Sequence, residues 1–260
     1  MRFKLQLEVN KRAFGNRLPI NYQYEQSAAI YRILARADND YATWLHENGY
    51  RMESGKTFKF FSYSRFEMER YKILREEGRM LILSDTVEWQ ISFLPEKSTQ
   101  SFIQGVFMEQ VFEIGDRKSA VQFIVRNIEV MPSPEFTEEM TFRTLSPMCL
   151  KLRQGGRKVD YLSPLDKEAS YILFQGLTEK YSLFYGNECP FHVEDCHLEV
   201  LNQSKSALIK IKADTPQETK VRGFMCRMRI SAPLELMKLM YEAGAGSLSS
   251  MGFGFLEVEK

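Results

Sequence analysis

The sequence predicts an α+β fold in which a strand–helix–strand–strand–helix–strand order runs twice along 260 residues. Three observations predict it. Short segments alternate apolar and polar residues with a period of two, the mark of half-buried strands. Each half also carries two stretches with apolar residues at helical spacing. Between the halves, Pro132 to Glu139 is a proline-bearing stretch that neither pattern continues.

The first strand is Arg2 to Asn10, where Phe3, Leu5, Leu7 and Val9 alternate with Lys4, Gln6 and Glu8. A helix over Glu25–Ala37 places Ala28, Ala29, Ile33 and Leu34 on one face. Thr57–Tyr63 reads as a strand. Met80–Leu83 and Val87–Leu94 read as a hairpin around Ser84-Asp85-Thr86. A helix over Ser98–Met108 and a strand over Val121–Met131 complete the first half. The second begins with a strand-like run, Thr141 to Leu152, interrupted by Pro147, followed by an amphipathic helix from Pro164 to Phe184 that Gly186 closes. Strands over His197–Leu201, Ala207–Lys212 and Lys220–Ser231, a helix over Pro233–Tyr241 and a strand over Phe253–Val258 follow. This order is the ferredoxin-like pattern, twice over, with domains expected at 1–132 and 140–260.

Composition bounds the function. Hydrophobic residues at 44% and charged residues at 27% fit a soluble globular chain and exclude a disordered one. No apolar run reaches a membrane span, and four scattered cysteines make no disulfide framework, so a cytoplasmic, reducing location is expected. The net charge of +1 hides segregation. Arg143, Lys151, Arg153, Arg157 and Lys158 occur in a stretch without an acid, and Lys205 to Arg229 holds seven basic residues against Asp214 and Glu218. Asp85 to Asp116 holds six acids and only Lys97. One face can therefore be basic, although solvated strand edges would look the same.

Two features carry candidate chemistry. Gly244-Ala245-Gly246-Ser247-Leu248-Ser249-Ser250-Met251-Gly252-Phe253-Gly254 joins a helix to the last strand. Its backbone can approach a ligand closely and offer amides to an anion. It matches neither the Walker A loop nor the dinucleotide fingerprint, and glycine-capped connections look similar. The second feature is histidine, best suited to proton transfer near neutral pH. Of His46, His192 and His197, His46 lies just past a helix carrying Trp44 and Leu45 and before a turn at Gly49. Lone histidines there are more often surface residues. Cys189, His192, Cys196 and His197 invite a zinc reading, but they lack Cys-x-x-Cys knuckles, so a loop with incidental polar residues is expected. Glu138-Glu139 and Glu194-Asp195 form no magnesium constellation. No metal and no cofactor are expected.

The run RGFMCRMRISAPLELMKLMYEAGAGSLSSMGFGFLEV, Arg222 to Val258, resembles the C-terminal signature of the CRISPR-associated endoribonucleases that process repeat transcripts into guide RNAs. That family belongs to the repeat-associated RNA-binding superfamily. LHENGY (Leu45–Tyr50) with KTFKFFSYSRF (Lys56–Phe66) resembles the family's N-terminal motif, and RTLSPMCLKLR (Arg143–Arg153) the opening strand of its second domain. The resemblance implies tandem ferredoxin-like domains with a Gly-rich loop before the last strand. It further implies metal-independent cleavage of CRISPR repeat RNA (pre-crRNA) by the 2′-hydroxyl, leaving 2′,3′-cyclic phosphate and 5′-hydroxyl ends. By matching position it implies a site of His46, Tyr31 and Lys56, with Lys59 and Arg51 near enough to stand in for Lys56.

Gly244, Gly246, Ser247, Ser249, Ser250, Gly252 and Gly254 would meet RNA, with Arg222, Arg227, Arg229, Lys151 and Arg153 lining a basic groove. Family members often carry a basic residue inside the loop where Leu248 stands here, which leaves phosphate contacts to the backbone. CRISPR repeat RNA and other CRISPR effector subunits are the expected partners, with no membrane and a monomer or homodimer. The alternative function is a non-catalytic RNA-binding subunit of a CRISPR effector complex.

Overall fold

Strand β1, Arg2–Val9, buries Phe3, Leu5, Leu7 and Val9 as its alternation requires. The computed structural model describes residues 1–153 and 159–259, with the backbone alone at Arg153. Arg157 and Lys158 of the basic run lie outside the described residues. The fold is mixed α+β, in two compact units. Met1–Glu47 with Arg65–Pro132 forms the first, and Asn48–Ser64 with Ser133–Lys260 the second.

In the first unit, helices α1 (Gln23–Ala37) and α2 (Asn39–Glu47) follow β1. Next come β2 (Thr86–Phe93), α3 (Glu96–Met108), β3 (Val111–Gly115) and β4 (Ala120–Val130). The strands lie antiparallel in the order β2-β1-β4-β3. A bulge between Gln6 and Leu7 shifts the β1–β4 register, so that Leu7 opposes Val125. Phe3, Phe93 and Phe102 pack between sheet and helix, with Trp89, Phe112 and Phe123 beyond them. α1 and α3 cross at Gly105, where a Cβ would lie 1.9 Å from the Ile33 carbonyl oxygen. Only glycine permits that backbone contact.

The expected hairpin of Met80–Leu83 with Val87–Leu94 does not form. Arg79–Ile82 pairs with Tyr71–Leu74 and with Arg17–Pro19, while β2 pairs with β1. The turn that decides this is at Gly78, in the left-handed region (φ +64°), whose amide bonds the Arg75 carbonyl. The Leu83 and Ser84 amides both bond the Arg70 carbonyl, which diverts the chain away from a tight hairpin there.

The second unit holds β5 (Glu139–Thr144), β6 (Leu150–Arg153), β7 (Val159–Leu162), α4 (Ala169–Tyr185) and β8 (His197–Val200). It continues with β9 (Lys205–Ile211), β10 (Thr219–Met225), β11 (Arg227–Ser231), α5 (Leu234–Ala243) and β12 (Leu256–Val258). One sheet has the order β8-β11-β5-β12, while β9–β10 and β6–β7 form separate ladders. Lys220–Ser231, expected as one strand, is two. The Cys226 amide donates to Thr144 Oγ1 at 3.0 Å, and on either side of that residue β10 and β11 take different partners. Similarly, Thr57–Tyr63 breaks at Phe60, a buried aromatic at φ +52°. Thr57–Phe58 pairs with Tyr50–Arg51, and Phe61–Tyr63 is a separate strand. α4 starts later than expected, because Ser163–Glu168 forms turns in which Asp166 accepts from the Ser163 amide. It ends at left-handed Gly186 (φ +72°), as the sequence pattern requires.

Candidate functional site

Asp38 separates α1 from α2 and accepts the Tyr41 amide at 2.9 Å, capping the helix that carries His46. Lys97 pairs with Asp38 at 3.1 Å, and the Tyr41 amide together with that ammonium holds the carboxyl below its ordinary range. His46 therefore sits inside the last turn of α2 rather than just past it, and it is exposed. Across from it Tyr31, eight residues into α1, meets the imidazole edge to face, with ring centroids 4.9 Å apart at 90°. Burial, with Tyr41 nearby, pushes the Tyr31 phenol well above its ordinary value. The hydroxyl thus stays protonated at neutral pH and serves as a donor, not as a phenolate base.

In the second unit, Lys56 occupies the turn of the Tyr50–Arg51/Thr57–Phe58 hairpin, where its carbonyl accepts the Met52 amide. Its ammonium pairs with Glu179 of α4 and lies 5.3 Å from the centre of the Phe58 ring. Lys59, half-buried, has its amine pushed down by desolvation, and Arg51 is exposed.

The Gly-rich loop is tightly folded. Gly244, Gly246, Leu248, Gly252 and Gly254 all have φ between +61° and +83°. A Cβ at Gly254 would sit 1.9 Å from the Ala245 carbonyl oxygen, and one at Gly246 2.5 Å from that of Cys149. These glycines are demanded by the loop's own path. Several amides are spent internally: Ala245 on Gly254, Ser247 on Cys149, Gly252 on Ser249 and Gly254 on Pro147. Any anion nest is therefore narrower than the glycine count suggests. Ser247, Ser249 and Ser250 are half-exposed.

The arginines are not a bare basic face. Arg227 Nε donates to Glu259 at 2.7 Å and Arg229 Nη1 to Glu199 at 2.8 Å, while Arg222 reaches Ser206 Oγ at 2.7 Å. Lys151 is half-exposed on β6, where it opposes Tyr161, and Arg153 opposes Val159 in the backbone register. Cys196 is buried with its thiol toward the His192 carbonyl. Among the described residues no group of three His, Cys, Asp or Glu side chains could hold a metal ion, and no helix is long and apolar enough to cross a membrane.

Glu179 and Lys180 were not anticipated from sequence. Lys180 falls on the apolar stripe of α4 with Leu173 and Leu177, and a lysine at that spacing was the available signal.

Two family models match the chain in succession. The one described as CRISPR-associated protein Cas6, N-terminal, matches residues 17–129, and CRISPR associated protein Cas6, C-terminal, matches residues 131–258. A curated relative, the CRISPR-associated endoribonuclease Cas6 of Pyrococcus furiosus, is 29% identical over all of this chain and 90% of its own length. The solved structure of a RAMP protein binding different RNA substrates superposes with a TM-score of 0.81 at 26% identity, covering both chains fully. That of a Cas6-related protein from Pyrococcus furiosus has a TM-score of 0.83 at 23% identity, covering 100% of this chain and 98% of the other.

Proposed function

This chain belongs to the Cas6 family of CRISPR-associated proteins, and we propose that it is a metal-independent, sequence-specific endoribonuclease that cuts CRISPR repeat RNA to generate guide RNAs. The observation that carries the reading is the Tyr31–His46 pair. An exposed imidazole meets a phenol that stays protonated, and these are the two residues that the resemblance to the family implied.

RNA brings its own nucleophile. The 2′-hydroxyl oxygen attacks the adjacent phosphorus as His46 takes its proton, and the bond from phosphorus to the 5′-oxygen breaks. That oxygen leaves by taking the proton of the Tyr31 hydroxyl, which solvent then restores, giving 2′,3′-cyclic phosphate and 5′-hydroxyl ends. Tyr31 donates a hydrogen bond to the phosphate or the departing oxygen, and Lys56 offsets the developing phosphate charge. To do so Lys56 exchanges the Glu179 carboxylate for phosphate. The half-exposed serines of the Gly-rich loop, with Gly244, Gly246, Gly252 and Gly254 shaping it, meet the RNA backbone. Arg222, Arg227, Arg229, Lys151 and Arg153 add phosphate contacts, two of them by giving up glutamate partners.

Two ferredoxin-like domains, 1–132 and 140–260, complete the proposal, and the order β8-β11-β5-β12 with α4 and α5 as crossovers supports it in the second half. The test is repeat RNA carrying a single 2′-deoxyribose 5′ to the mapped cut. It binds as the all-ribose RNA does and is not cleaved if the 2′-hydroxyl is the nucleophile. Cleavage of the deoxy substrate contradicts the mechanism.

A further inference from the structure

Lys180 is only 3% exposed, and a buried ammonium is costly unless its protons are taken up. Its Nζ donates to the Gly244 carbonyl at 2.6 Å and lies 3.4 Å from both the Ala243 carbonyl and Ser249 Oγ. The carbonyls belong to the C-terminal end of α5, where a positive charge is favoured. Ser249 stands on the opposite limb of the Gly-rich loop. One buried amine thus ties the start of the loop to its middle.

The loop needs such a tie. Leu248 adopts φ +61°, which costs a non-glycine residue about 1 kcal/mol, and successive left-handed glycines gain nothing locally from their path. Ser62 Oγ, 3.4 Å from the Glu242 carbonyl, braces the same helix end. Burial, and secondarily the Lys56 charge, pushes the Lys180 amine down to about 7. The side chain has no open route to a ligand.

We propose that Lys180 is a positioning residue that holds the Gly244–Gly254 loop in the shape that receives the RNA backbone, without touching RNA itself. The inference rests on the ribonuclease reading and adds to it a residue that acts only through the loop.

The experiment compares the full-length protein with Lys180→Met, which is one heavy atom shorter, stays unbranched and removes the amine. Three quantities are read: amide hydrogen exchange of residues 244–254 without RNA, repeat-RNA affinity across salt concentrations, and single-turnover cleavage at saturating protein. The expected result is faster loop exchange and affinity lower by about tenfold, with an unchanged salt slope and a cleavage rate within about twofold. A lost phosphate contact would instead lower the salt slope by about one unit. Lys180→Arg, which retains charge and donors, should recover part of the affinity.

Should Lys180→Met not fold, Ser249→Ala decides. Losing the tie speeds loop exchange in the RNA-free protein, whereas losing only a hydroxyl contact to RNA does not. Unchanged exchange and affinity in a folded variant, or a reduced salt slope in Lys180→Met, overturn the proposal. A wild type that neither binds nor cuts repeat RNA overturns the ribonuclease reading instead.

Discussion

The His46 and Tyr31 rings meet edge to face at a right angle, 4.9 Å between centroids, and the two residues come from successive helices joined at Asp38. Their meeting depends on the α1–α2 turn, where Asp38 caps the second helix, so the pair is fixed by backbone geometry rather than by a flexible loop.

Tyr31→Phe separates ring from hydroxyl. The edge contact survives and the donor is lost. Single-turnover cleavage should fall by roughly a hundredfold, within the range for a group acting on a transferring proton, while RNA affinity changes less than twofold. An equal loss of both would make Tyr31 a binding residue.

Lys56 and Glu179 are coupled partners. Lys56→Ala should slow cleavage by about tenfold or more, and Glu179→Gln should raise RNA affinity a few-fold at low salt by freeing the ammonium. In the Lys56→Ala background Glu179→Gln should lose most of its effect. Full additivity in that cycle would show that the carboxylate does not act through Lys56.

Gly186 and Gly254 share a φ of +72° and differ in surroundings. A Cβ on Gly186 meets nothing within 4 Å, whereas one on Gly254 meets the Ala245 carbonyl oxygen at 1.9 Å. Gly186→Ala should cost about 1 kcal/mol of unfolding free energy and Gly254→Ala roughly 3 kcal/mol, measured by denaturant titration. RNA binding should follow the second variant only.

Glu25 sets a pH dependence of stability. Burial, with Asp116 adding to it against the opposing Arg79, pushes its carboxyl up to about 7, and Oε2 is buried without a hydrogen-bond partner. The unfolded chain releases this proton near the ordinary value of 4.5 and the folded chain near 7. Between those values the folded state binds more protons, so stability falls as pH rises through the window and levels above it. Glu25→Gln should flatten this part of the curve and stabilise the protein at pH 7.5 by roughly 1–3 kcal/mol. A parallel pH curve in the variant would contradict the assignment.

Much of the fold was legible because its signals are local. The alternation of Phe3 to Val9, the apolar face of Glu25–Ala37 and the Gly186 stop each depend on a few neighbouring residues. What escaped depends on distant partners. The division at Cys226 is fixed by Thr144, and the path around Arg79–Ile82 follows from Arg17–Pro19 and the Gly78 turn. The same holds at the site. His46 and Tyr31 could be named from the family resemblance, but the Glu179 partner of Lys56 and the burial of Lys180 arise from α4 packing. The glycines of the loop suggested ligand approach, whereas Gly246 and Gly254 serve close contacts with Cys149 and Ala245.

The most direct test is cleavage of the host's own repeat RNA in EDTA by the unmodified protein and by His46→Ala, read on a denaturing gel beside a binding measurement. The account predicts cutting by the first alone and equal binding by both. Binding without cutting by either protein would make the chain a non-catalytic RNA-holding relative, and equal cutting by both would contradict the assignment of His46.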